Sequence, residues 1–94
     1  MYADEADLLN VAIFGKTANE WRTENPDKKG NIRDFADIPH LLVLANLESY
    51  NAILIEQNLP QSERLEKLHE TAKKQLSTIL SLDLQKTVLI GDHS

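Results

Sequence analysis

Between Gln61 and Leu82 the side chains Leu65, Leu68, Ala72, Leu76, Ile79 and Leu80 fall three and four residues apart, one continuous apolar stripe at helical period. A stripe of that kind must be covered by other elements, so the chain is constrained to pack helices. The opposite face sets Glu63 against Lys67 and Glu70 against Lys74 in the favourable i,i+4 order, each pair contributing roughly 0.2–0.5 kcal/mol. The helix is expected to close near Leu82. The segment from 83 to 94, ending LQKTVLIGDHS, carries β-branched and apolar residues with no partner strand. It could dock on the helices, extend another chain's edge, or stay loose.

Upstream punctuation is equally helical. Asp4 reads as an N-cap with Asp7 three residues on, and Ala6, Leu8, Leu9, Val11 and Ile13 follow at helical spacing. Gly15 then ends the element. Thr17 and Glu20 in TANE form a capping box for a second short helix. That helix should stop at Asn25, because Pro26 disfavours helical geometry in the residue before it. NPDKKGN is turn chemistry, and a brief helical turn over Ile32 to Phe35 can follow it. Asp37 caps a third long helix to about Asn58, with Pro39 in the first turn, where a missing N–H is harmless. From Leu41 to Ile55 apolar residues occupy more than one face, the pattern of a central helix packed on several sides. The fold class that follows is all-α, a compact bundle of about four main helices over 1–82 with a short C-terminal tail over 83–94. Its core should include Leu9, Ile13, Trp21, Leu44, Leu47, Leu54, Leu68, Ala72 and Leu76.

Composition narrows function mostly by exclusion. The 94 residues include no cysteine, which removes disulfides, thiolate metal sites and cysteine nucleophiles. Asp4, Glu5 and Asp7 occupy the place where a signal peptide would carry positive charge, and Leu41–Ala45 is the longest apolar run, so a cytoplasmic protein with no membrane contact is expected. Net charge is −5, which disfavours whole-surface attraction to nucleic acid or anionic lipid. The segment from Lys16 to Arg33 is the exception, with Lys16, Arg22, Lys28, Lys29 and Arg33 against Glu20, Glu24 and Asp27.

Motifs of reaction chemistry are weak. NVAIFGKT approximates a Walker A phosphate loop, with Asn10 in place of its first glycine and bulky Val11, Ala12, Ile13 and Phe14 in the loop. Such a loop must follow a strand, and the residues before it read as helix. His40, His69 and His93 have no i,i+4 partner, so no zinc site and no cofactor is expected. Glu63, Glu66 and Glu70 are interleaved with lysines as on a solvated face. Ser49 and Tyr50 have no neighbouring histidine to act as base. The expectation is a protein without catalytic residues.

With those residues read, YADEADLLNVAIFGKTANEWR, NPDKKGNIRDFA, LLVLANLESYNAILIEQ and LPQSERLEKL together resemble the C-terminal region of KilA-N domain-containing proteins of bacteria, phages and prophages. The resemblance covers about Tyr2 to Leu80. In that family the KilA-N domain lies upstream and is presumed to bind DNA, and none of its DNA-contacting residues corresponds to a position in this chain. The resemblance implies an accessory domain of a DNA-associated protein. Its role would be oligomerisation, as a homodimer, or recruitment of a protein partner. The alternative is a DNA-binding module in which a helix-turn-helix-like 4–25 segment exposes Asn19 and Arg22 to a groove, with Lys16, Lys28, Lys29 and Arg33 on phosphates. An ordinary corner between two helices, its charges solvated, explains the same segment. The surplus of apolar helix surface fits either an interface or a core that simply encloses it all.

Overall fold

The computed structural model describes residue 2 and residues 4–92, with side-chain surroundings to residue 81. It is an all-α bundle. The order is α1 (Glu5–Phe14), α2 (Ala18–Glu24), a 3₁₀ turn (Ile32–Phe35), α3 (Ile38–Glu56) and α4 (Gln61–Asp92). His93 lies outside the described residues.

Each boundary is set by the local chemistry that the sequence displays. Asp4 Oδ1 accepts from the Asp7 N–H at 2.8 Å. The Thr17–Glu20 box closes in both directions, at 3.1 Å to Thr17 Oγ1 and 2.9 Å to Glu20 Oε1. Donation from the Thr17 backbone N–H to the ionised form, and then the Thr17 side chain, hold the Glu20 carboxyl below its usual range. Asn25 terminates α2, and Asp37 caps α3 by accepting from the His40 N–H at 2.9 Å. That bond, and a second from the His40 ring, lower the Asp37 carboxyl in the same way.

Two helix ends differ in what they require. α3 stops two residues before Asn58 because Asn58 takes a left-handed φ of 61°. Its N–H then reaches the Ile55 carbonyl at 2.9 Å and the Leu59 N–H reaches Leu54 at 3.2 Å, the paired bonds of a Schellman closure. α1 ends at Gly15, which has φ 77°. A Cβ at Gly15 would meet nothing within 4 Å, so backbone strain alone demands glycine there. Gly15→Ala is therefore expected to destabilise the fold by about 1–2 kcal/mol with no change in packing. A urea-melt difference below about 0.3 kcal/mol would show that the left-handed turn is not fixed.

α1, α3 and α4 pack against one another and build the core. Leu8, Leu9 and Ala12 of α1 meet Val43, Leu44, Leu47 and Leu54 of α3 and Leu68 and Ala72 of α4. Ile13 and Leu76, expected at the centre, are half-buried at its margin. Trp21 is buried, but away from this cluster. α2 is only seven residues long and packs on the 3₁₀ turn, where Trp21 faces the Phe35 ring at 5.3 Å beside buried Ile32.

Two further expectations need revision. α4 is assigned through Asp92, beyond the expected stop near Leu82, so its backbone includes most of the segment read as a tail. α3 is not enclosed on several sides: one face is core and the other is open. Among the described residues α3 is the one helix whose length and apolar content match a membrane span, and it reaches that hydropathy because both faces are apolar. The Glu63–Lys67 and Glu70–Lys74 pairs do not close to ion-pair distance among the described residues, as expected for exposed pairs worth only tenths of a kcal/mol.

Candidate interaction face and basic corner

Among the described residues, most of the exposed large apolar side chains lie on the outer face of α3. Ile38 is 72% exposed, Leu42 53% and Ile53 50%, with Leu41 and Ile55 also open. Ala45, Ser49 and Ala52 are exposed between them. At 100° per residue Ile38, Ala45, Ser49, Ala52 and Glu56 form the outermost ridge, opposite Val43, Leu47 and Leu54. The bulky residues thus sit towards both ends of the face, and small ones occupy its middle. Single exposed leucines are unremarkable, but a row of them along one helix marks a contact surface. Glu48, beside this face, is engaged within the chain by Arg33 Nη1 at 3.8 Å.

The basic corner is less open than its sequence implies. Lys16 Nζ pairs with Glu24 across α2. Lys28 Nζ lies 5.3 Å from the centroid of the Phe35 ring, a cation–π geometry. Arg33 is shared with Glu48. Asn19, Arg22 and Lys29 are exposed and form no ion pair among the described residues. Of the six sequence candidates, Arg22 and Arg33 are brought to one cleft, together with Asn10 and Asn31.

The phosphate-loop reading fails on geometry. The element before Gly15 is a ten-residue helix, and Ala12, a loop position in that reading, is buried in the core. His40 stacks on Phe14 at 5.9 Å and contacts Asp37, while the His69 Nδ1–H donates to the Ala12 carbonyl at 3.0 Å, tying α4 to α1. Among the described residues no three His, Asp or Glu side chains gather as a metal site. Glu63, Glu66 and Glu70 are exposed, as is Ser49 on the open face of α3.

Sequence reasoning missed the buried polar residues. Arg64, 8% exposed, donates to both Glu5 oxygens at 2.7 and 3.3 Å, to Asn51 Oδ1 at 3.3 Å and to the Leu59 carbonyl at 3.1 Å. Asn51 Nδ2 also reaches Glu5 Oε1 at 2.7 Å. The signal was available: Asn51 sits between Leu47 and Leu54, and Arg64 precedes Leu68 and Ala72, each on the core stripe of its helix. A polar residue in that register either finds partners or unfolds the helix from its site.

The fold and its open face define a helical bundle with an uncovered apolar helix. Compared with known proteins, the chain matches no family model, no curated protein and no solved structure.

Proposed function

We propose that this chain is a non-catalytic accessory domain that pairs its protein through the outer face of α3. The protein it serves is read as a cytoplasmic, KilA-N-type DNA-associated protein of phage or prophage origin. The segment resemblance supports that context, and the uncovered face of α3 carries the pairing.

The occupant best suited to this face is a second copy, antiparallel. A two-fold axis crossing the outer face at the level of Leu47 would set Ala45 against Ser49, Leu42 against Ala52, and Leu41 against Ile53, so small residues meet near the axis, one leucine faces an alanine, and the bulky Leu41 and Ile53 pack together further out. Small central residues let the two helices approach closely. Antiparallel pairing also places Glu56, with the negative end of its helix, beside the positive N-terminus of the partner helix. In this reading DNA is held by a KilA-N domain, and this domain doubles the number of such contacts per assembly.

Sedimentation equilibrium tests the proposal. The 94-residue chain is expected to be a dimer at roughly 100 μM. Ala45→Glu would set two carboxylates near the axis and should weaken pairing about 100-fold or more while leaving the helical circular dichroism unchanged. A monomer at ~500 μM, or equal association by the Ala45→Glu variant, would rule the α3 interface out.

A further inference from the structure

A second feature, independent of the α3 face, lies where α1, α2 and the 3₁₀ turn meet. A cleft of about 280 Å³ is lined by Ala6 and Asn10 of α1, Ala18 and Arg22 of α2, and Asn31, Ile32 and Arg33. The two helices present i,i+4 pairs of the same kind, an alanine that leaves room and a polar residue that faces it. Among the described residues no carboxylate lines the cleft, on a chain whose net charge is −5.

The polar groups are specific. Asn10 is only 4% exposed, and its Oδ1 is the one buried side-chain oxygen or nitrogen among the described residues without a hydrogen-bond partner. An orphaned buried acceptor costs roughly 1–3 kcal/mol and calls for a donor. Asn31 Oδ1 already accepts from the Arg33 and Asp34 N–H groups, so its amide nitrogen remains as a donor. Arg22 has no ion-pair partner among the described residues, and Arg33 keeps only its 3.8 Å contact to Glu48.

We propose that this cleft binds a phosphomonoester that also carries a hydroxyl or N–H group. Arg22 lines the cleft from α2, and Arg33 and Asn31 line it from the 3₁₀ turn. That donor set suits the three terminal oxygens of a tetrahedral phosphate better than a planar carboxylate, which a single arginine fork satisfies. Asn10 Oδ1 accepts the hydroxyl or N–H of the same molecule. The volume is that of roughly nine water molecules at ~30 Å³ each, room for a phosphate and a short polar stem. A phosphorylated serine side chain and a small phosphorylated metabolite share this chemistry.

Titration of the ¹⁵N-labelled chain with inorganic phosphate, a short phosphoserine peptide and O-phosphoethanolamine separates these sources, with Arg22, Asn31 and Arg33 amide shifts and Trp21 fluorescence as readouts. Inorganic phosphate is expected to bind at roughly millimolar levels, and the preferred ester at least about fivefold more tightly. Arg22→Ala should weaken both by about tenfold or more. Asn10→Leu should abolish the preference for the ester and leave phosphate binding intact, a result that a purely structural Asn10 would not give. If Asn10→Leu does not fold, Asn10→Asp keeps the shape and should repel phosphate. No saturable shift up to ~20 mM, or shifts unchanged in Arg22→Ala, would overturn the site. So would binding of duplex DNA without binding of any phosphomonoester. None of these results depends on dimerisation.

Discussion

Leu68→Ala is expected to destabilise the domain by about 2–5 kcal/mol. Leu68 is fully buried on α4 and belongs to the cluster that joins all three core helices. Truncation removes the transfer free energy of the lost carbons and leaves a cavity that the surrounding helices cannot fully close. A domain of this size is stable by roughly 5–15 kcal/mol, so the loss is a large share of the total. At about 4–8 °C per kcal/mol the melting temperature should fall by roughly 8–40 °C. Dimerisation would make the unfolding midpoint depend on concentration, so the comparison belongs in the Ala45→Glu background. Leu80→Ala is the control: Leu80 is 51% exposed on the same helix and should change stability by less than about 0.5 kcal/mol. Equal effects of the two substitutions would show that α4 is not docked through the stripe at Leu68.

How much of this is legible in the sequence depends on the range of the interaction. Caps are local: Asp4, Thr17–Glu20 and Asp37 each bond a residue three positions away, and all three appear as read. The core stripe is local in the same sense, which is why Leu44, Leu47, Leu54, Leu68 and Ala72 are legible. Periodicity gives no information about which helix lies on which face. It therefore cannot tell an enclosed α3 from one that packs on one side and opens on the other. Trp21 is legible as buried but not by cluster, because its partner Phe35 lies across a turn whose path only the folded chain fixes.

The candidate sites divide along the same line. The basic residues from Lys16 to Arg33 are visible as a composition, but their pairing with Glu24, Phe35 and Glu48 is not. The juxtaposition of Arg22 and Arg33 with Asn10 brings together residues from three elements. In the sequence Asn10 stands out only as a missing glycine in a phosphate loop. In the folded chain it lines a different cleft, and the loop it resembles is a helix.

The second large effect concerns Arg64. Both Glu5→Ala and Arg64→Ala are expected to destabilise by about 2–4 kcal/mol, with a coupling of about 1.5–3 kcal/mol between them. Removing Glu5 leaves a guanidinium that is almost wholly buried with only Asn51 and the Leu59 carbonyl as partners. Removing Arg64 strips Asn51 Oδ1 and the Leu59 carbonyl of their donor and takes away the packing of the arginine stem. The Glu5 side chain is 43% exposed, so water moderates the effect, and the figures sit below the full range for breaking a buried pair. The double variant should be scarcely less stable than the worse single one, because each deletion has already removed what the other would lose. A double-mutant cycle by urea unfolding reads this directly. Additive losses, with coupling below about 0.5 kcal/mol, would mean that the guanidinium does not clasp the start of α1 to α3 and α4, and the hydrogen-bond pattern around Asn51 would have to be redrawn.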